Sequence, residues 1–343
     1  MTRFDSGFNL DVMKSFLGAL LGLWIVCGFG HADEITPLGH GLNLGNFLEA
    51  PHEGAWSDGR LLKESDFSTI QAAGFTVVRV PIRWAAHVGP GPDFTIDPTF
   101  LSRVDWVVAQ AEKNHLQAIL DYHNDDELMK HPDANGNRFV AIWKQIAGHY
   151  QTAPDSIFFE LLNEPYGKLD AARWNALLAR ALAVVRETNP TRTVVVGPVQ
   201  WNGIGSLKNL VLPENDRHLV VTFHYYSPMQ FTHQGASWIE GSTPWLGTTW
   251  EATDKEKQAV LKDFAQADAW GKAHDRPLYM GEFGSFEKGD MASRARWTAF
   301  VARTAESSGF AWTYWEFCSG FGAYDPVINQ WRLPLLQALL PKS

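Results

Sequence analysis

Phe158-Phe159-Glu160-Leu161-Leu162-Asn163-Glu164-Pro165 is an apolar run that stops abruptly at an amide, a carboxylate and a proline. It reads as a buried strand. Proline cannot donate to a ladder and pushes the residue before it out of the helical region, so Glu164 is expected where a strand ends and a loop begins. Leu278-Tyr279-Met280-Gly281-Glu282-Phe283-Gly284 has the same form, with Glu282 between glycines. Two strand-end glutamates make a pair.

Working outward, short apolar runs alternate with amphipathic stretches from about Leu38 onward, with no linker, repeat or low-complexity segment. The strand candidates are residues 41–44, 76–80, 117–120, 157–161, 193–196, 219–223, 278–280 and 310–314. Between them lie helical patterns at 63–73, 100–113, 139–150, 171–188, 255–272 and 291–307, with apolar positions at three and four spacing. Glycine or proline often closes a helix or starts the next strand, as at Ala73-Gly74, Asn189-Pro190 and Ser308-Gly309. Eight alternating units predict α/β architecture, a closed (β/α)8 barrel in one domain over residues 33–343, before a doubly wound sheet. Chemistry in such barrels sits at the C-terminal rim of the strands, where the two glutamates fall.

Arg79, His123, His224, Tyr226 and Trp315 are expected just past other strand ends. Taken singly, an arginine there is more often a structural ion pair, a histidine a satisfied polar residue and a tryptophan core. Convergence changes this reading, because one barrel axis would bring all of them towards one cleft.

Of 343 residues, 45% are hydrophobic and 20% charged, which excludes disorder. A net charge of -9 without any Lys/Arg cluster argues against nucleic acid as a partner. Fifteen tryptophans, 21 phenylalanines and eight tyrosines exceed what a core of this size usually needs; sugar rings are one ligand class that uses flat aromatic platforms. Residues 16–29 form an apolar run shorter than a membrane span, preceded by Lys14 and followed by Gly30-His31-Ala32. Residues 1–32 are therefore expected to be a signal peptide with a possible N-terminal extension, giving a secreted protein with no membrane association after cleavage. An uncleaved anchor or a lipoprotein acylated at Cys27 fits less well. Cleavage would leave Cys318 alone, without a disulfide or a cysteine-built zinc site.

The ordered set Leu42-Asn43-Leu44-Gly45-Asn46, Val78-Arg79-Val80-Pro81, Asp121-Tyr122-His123, Leu162-Asn163-Glu164-Pro165, Phe223-His224-Tyr225-Tyr226, Gly281-Glu282-Phe283-Gly284 and Trp315-Glu316 resembles glycoside hydrolase family 5, the cellulase family. The resemblance runs from roughly Pro37 to Leu340. Asn-Glu-Pro alone occurs in a wider clan, whereas the set in this order narrows to the family. It implies retaining hydrolysis of a β-glucan polysaccharide or oligosaccharide with no metal and no organic cofactor. Glu164 would be the general acid/base and Glu282 the nucleophile; Arg79 and Tyr226 would hydrogen-bond Glu282, and Asn163 would hold the sugar 2-hydroxyl. His123 and His224 would bind hydroxyls or orient the carboxylates, and Trp315 would stack beneath the sugar.

Trp56, Trp84, Trp201, Trp238 and Trp245 are candidate outer platforms, the last two in a long rim loop over residues 226–253 that also holds Trp250. Packing the loop down is an equal alternative for each. Glu49 and Glu53 are candidates to line the cleft; Glu160 is expected as a structural charge partner, and Asp125, Asp126 and Glu127 as hydrated or helix-capping residues rather than a metal site. The expected activity is that of a monomeric endo-β-1,4-glucanase. A mannanase or another β-glucanase on the same machinery, a non-catalytic carbohydrate-binding barrel and a metal-dependent hydrolase are the rivals. Binding alone would not need a carboxylate pair, and histidines at ligand spacing are absent from the strand ends.

Overall fold

The computed structural model describes residues 37–341. The expected signal segment, residues 1–32, lies outside them. Eight parallel strands, β1 (His40–Asn43), β2 (Val77–Ile82), β3 (Gln117–Tyr122), β4 (Ile157–Glu160), β5 (Val194–Val196), β6 (Leu219–Tyr225), β7 (Leu278–Phe283) and β8 (Ala311–Tyr314), close in that order, with β8 paired back onto β1. Each expected strand is present. β2, β3, β6 and β7 run further than expected, so His224 and Glu282 lie within strands rather than past their ends, and Arg79 lies in the middle of β2. The apolar pattern stops where inward side chains turn polar, but the ladder needs only backbone groups and continues.

Side chains two apart on a strand share a face, and the inward face has two layers. Val77, Ile119, Phe158, Val195, Val220 and Tyr279 form an apolar plug inside the barrel, separate from the larger core beneath the helices. Two residues further along β2, β3, β4 and β6 come Arg79, Asp121, Glu160 and Thr222, all fully buried. Above that polar layer lies the rim.

The helices Ala171–Thr188 and Met291–Ser307 keep their expected bounds. Each starts at an aspartate whose side chain accepts from a first-turn N–H, Asp170 from Arg173 and Asp290 from Ser293. Pro132–His149 begins seven residues before the expected start. Its Asp-Ala-Asn-Gly-Asn segment has loop composition, but Gly136 packs against Leu177 of the neighbouring helix and tertiary packing overrides the local preference. Four short helices, Asp126–Lys130, Val199–Asn202, Met229–Thr232 and Leu333–Leu339, and a two-stranded ribbon, Tyr324–Asp325 with Gln330–Trp331, were not legible as periodic patterns. No helix among the described residues is long and apolar enough to cross a membrane.

Trp143, fully buried on the helix Pro132–His149, donates its Nε1–H to the oxygen of Leu161 at 3.0 Å. This contact ties the helix layer to the segment that carries Asn163 and Glu164. Trp143→Phe should orphan the Leu161 carbonyl and lower stability by about 1–3 kcal/mol. Urea unfolding of the variant beside the wild type checks this.

Candidate active site

Arg79 stands at the centre of the barrel mouth with none of its surface exposed. Nε and Nη2 donate to Glu160 Oε2 and Oε1 at 2.7 and 2.9 Å, so Glu160 is the structural partner expected of it. Nη1 donates to Glu282 Oε1 at 2.8 Å and to Asn43 Oδ1 at 2.9 Å, and Nη2 also donates to Asn163 Oδ1 at 2.8 Å. Five N–H groups of Arg79 on β2 meet five acceptors from β1, β4, β7 and the turn after β4. Asp121 Oδ2 approaches Nη2 at 3.0 Å, so three buried carboxyl groups surround one guanidinium.

The second oxygen of Glu282 accepts from the Tyr226 hydroxyl at 2.9 Å. Burial and the Glu282 charge push the Tyr226 phenol up, so it stays a donor. In the β6/β7 ladder the register shifts between Phe223 and His224, which sets His224 beside Glu282; bulges of this kind re-aim side chains next to active sites. His224 Nδ1 lies 2.7 Å from Glu164 Oε1 and 3.5 Å from Glu282 Oε2. Glu164 leaves the strand with a left-handed φ of 48°, a conformation a non-glycine residue adopts only where its surroundings hold it.

One ligating atom each of Glu164, His224 and Glu282 lie within 4.8 Å of one another. That spacing alone would also suit a cation. Both oxygens of Glu282 are already met by protein donors, however, and the Arg79 guanidinium supplies the positive charge, so the donor set is that of a carboxylate pair. Burial pushes Glu164 up to about 7, against the opposing pull of Arg79 and helped by Glu160. Burial pushes His123 down to about 3 and His224 down to about 4, which keeps both rings neutral near neutral pH. His123 Nδ1 hydrogen-bonds Asp121, and its ring stacks on Trp315 with centroids 5.9 Å apart. Trp315 lies close against the turn after β1, where a Cβ on Gly45 would meet the indole at 2.8 Å.

These groups open onto a cleft of about 2420 Å3. His123, Asn163, Glu164, His224, Tyr226, Glu282 and Trp315 all line it, as do Trp56, Trp201 and Trp238. The three outer tryptophans are 45%, 57% and 59% exposed, respectively, as binding platforms would be. Trp201 is backed by Tyr166, stacked at 5.5 Å.

Two expected platforms are not platforms. Trp84 is fully buried in a 3-10 turn after β2 and packs edge-on against Phe100. Trp245 is half-buried in its own turn and does not line the cleft; its carbonyl accepts from Thr248 Oγ1 at 2.6 Å. Trp250 is buried as well.

Glu53 is likewise not a lining residue, because Arg103 grips it through two hydrogen bonds of 2.8 Å. Glu49 does line the cleft, and burial pushes it up to about 8 although the N–H groups of Asn46 and Phe47 donate to it. Asp125 caps the helix Asp126–Lys130 through Leu128 N at 3.1 Å and pairs with Arg138 at 2.6 Å.

His233, unremarked in the sequence, is buried, lines the cleft and abuts Tyr226 at 4.8 Å between ring centroids. Its only sequence signal is a histidine within an aromatic rim loop. Glu316, known only as part of a motif, accepts the N–H groups of Cys318, Ser319 and Phe321 and so shapes the turn after Trp315.

The raised value of Glu164 has a thermodynamic sign. Its ordinary value is 4.5, so between 4.5 and about 7 the folded chain holds a proton that the unfolded chain lacks. The group is least unfavourable to folding below 4.5, and stability falls as pH rises through 7. Glu164→Gln should therefore be more stable than the wild type at about pH 8, by on the order of 1–3 kcal/mol, with the gain absent at about pH 4. Urea titrations at the two pH values test this; a gain that does not depend on pH would contradict it.

Residues 40–320 match the family model Cellulase (glycosyl hydrolase family 5). The chain is 36% identical over 294 residues to Endoglucanase H of Acetivibrio thermocellus, covering 85% of this chain and 31% of that protein. It is 30% identical over 315 residues to Cellulase/esterase CelE of the same organism, covering 86% and 37%. The chain thus spans about a third of the length of these relatives. Among solved structures, Thermotoga maritima Cel5A in complex with mannotriose matches with a TM-score of 0.86 and 44% identity, over 88% of this chain and 97% of that one. The cellulose synthase subunit Z of Clostridioides difficile matches with a TM-score of 0.85 and 35% identity, over 89% and 100%. The family match spans the whole barrel, from β1 to the turn after β8, and on it the chain belongs to glycosyl hydrolase family 5, the cellulase family.

Proposed function

We propose that this chain is a retaining endo-β-1,4-glucanase. The observation that carries the reading is the separation of the two glutamates, with a ligating oxygen of each within 4.8 Å. Retaining glycosidases hold their carboxyl groups about 5–5.5 Å apart, whereas inverting ones leave about 6.5–9.5 Å for a water.

In the first step Glu164 gives its proton to the glycosidic oxygen while Glu282 attacks the anomeric carbon from the opposite face. The bond to the leaving sugar breaks and a glycosyl ester on Glu282 forms. In the second step Glu164, now a carboxylate, takes a proton from water, which attacks the same carbon and releases Glu282. Arg79 and Tyr226 hold the nucleophile in line. Arg79 also fixes the Asn163 amide by its oxygen, which turns Nδ2 towards a sugar hydroxyl.

Cleavage within a chain is supported by topology. Trp56 follows β1 and Trp201 follows β5, four strands apart in a ring of eight and so on opposite sides of the mouth. A glucan can cross the barrel between them. Several relatives are named endoglucanases, and Thermotoga maritima Cel5A has been solved with cellobiose as well as mannotriose. The mannotriose complex makes mannan the second substrate to try. We read residues 1–32 as a secretion signal and the mature protein as a monomer.

Glu282→Ala should abolish turnover of glucan with folding intact, because the nucleophile acts in the chemical step. Glu164→Ala should still cleave aryl cellobiosides whose leaving group needs no proton, and added azide should yield the β-glycosyl azide. A β-azide product from Glu282→Ala instead would mean that the roles are exchanged.

Trp201→Ala should raise KM on long glucans about fivefold to a hundredfold, for a loss of roughly 1–3 kcal/mol of stacking, with little effect on kcat or on short substrates. Steady-state kinetics on carboxymethyl cellulose and cellobiosides measure this. Trp245→Ala, which the cleft does not include, serves as the control.

A further inference from the structure

Asn202 is fully buried and does not line the cleft, yet its Nδ2 lies 3.2 Å from Nε2 of His224. The other ring nitrogen of His224, Nδ1, lies 2.7 Å from Glu164 Oε1. An amide nitrogen can only donate, so Nε2 must present its lone pair, and the single proton of the neutral ring then sits on Nδ1. The two hydrogen bonds run one way, from Asn202 through His224 to Glu164.

The backbone is bent to make this contact. Gln200, Trp201 and Asn202 have successive left-handed φ values of 59°, 57° and 54°. Each costs on the order of 1 kcal/mol for a residue with a Cβ. Trp201 N–H donates to Pro165 O at 3.3 Å, which fastens the segment to the residue after Glu164. The amide of Asn202 lies against Gly197 at the end of β5, where a Cβ would fall 2.2 Å from Oδ1. Oδ1 itself has no hydrogen-bond partner among the described residues. An orphaned buried acceptor and three strained residues are a cost, and what they secure is the donor facing His224.

We propose that Asn202 is a positioning residue that holds His224 in its Nδ1–H tautomer, so that His224 donates to Oε1 of Glu164 and the acid's own proton stays on Oε2 for the glycosidic oxygen. In the other tautomer Nδ1 would carry a lone pair and draw that proton away from the substrate. Besides Glu164, the charged or titratable groups acting on His224 are Glu282, Arg79, Glu160 and His123. Their net effect together with burial leaves the ring neutral, which is the condition under which its tautomer matters. The inference rests on Glu164 being the acid.

Long-range proton–nitrogen correlation spectra of the full chain labelled with nitrogen-15 histidine test it. The signals of His224 are identified by their loss in His224→Asn. In the wild type Nδ1 should be the protonated, pyrrole-like nitrogen of His224; a protonated Nε2 with a bare Nδ1 overturns the proposal without any Asn202 variant.

Asn202→Asp keeps the shape but presents an acceptor. It should move the proton to Nε2 or create an imidazolium. Its kcat on glucan should fall about ten- to a hundredfold, within the range that general acid catalysis supplies, while kcat on activated aryl cellobiosides should change less than about threefold. An unchanged tautomer, or equal losses on both substrates, overturns the proposal and leaves Asn202 a structural residue. Failure of the underlying reading is recognised separately, as a Glu164→Ala enzyme that forms no β-glycosyl azide while His224 keeps its Nδ1–H.

Discussion

The guanidinium of Arg79 is the constraint on which the mouth of this barrel depends. A cation with no exposed surface is costly to bury, and five hydrogen bonds make it tolerable. The five acceptors come from distant parts of the sequence. Satisfying them fixes Glu282, Asn163 and Asn43 relative to one another, so the interaction that neutralises the buried charge also sets the geometry of the site. The planar fork of arginine suits this, since a lysine has three donors and no preferred plane.

Around that centre the site gathers groups that burial makes uncomfortable. Asp121 and Glu164 are both pushed up to about 7, and His123 and His224 are pushed down to about 3 and 4. These shifts work against the fold at some pH, and they leave Glu164 able to hold its proton near neutrality beside Glu282, whose two oxygens accept from Arg79 and Tyr226. Raised and lowered groups within hydrogen-bond reach of each other are the mark of an acid/base site rather than of a binding groove. The apolar plug beneath, from Val77 to Tyr279, closes the barrel floor against which this polar layer rests.

Much of this was legible in the chain. The eight strands, the rim position of Glu164, and the convergence of Arg79, His123, Asn163, His224, Tyr226, Glu282 and Trp315 followed from apolar runs that end in polar residues. Glu160 shares a face with Glu164 by its even spacing but lies inside the strand rather than past its end, and it meets Arg79 there as a structural partner. Tryptophans were not separable in the same way. Trp84 and Trp201 both follow strand ends, but one is sealed in the core and the other is 57% exposed. An indole serves either role, and only the turn that carries it decides which. Asn202 gave no signal, since its importance lies in which ring nitrogen it faces.

By itself the sequence determined the alternation of strands and helices, hence the barrel, and the identity of the carboxylates at its mouth. Those properties are periodic or local, set by side-chain polarity and by proline and glycine at element ends. Tertiary structure decided the close approach of the pair, within 4.8 Å, the register shift that seats His224 beside Glu282, the fate of each rim tryptophan and the direction of the Asn202 to Glu164 hydrogen bonds. Each of those is a distance between residues far apart in the chain. Such distances follow from how the barrel closes and which groups it buries, and no local pattern carries them.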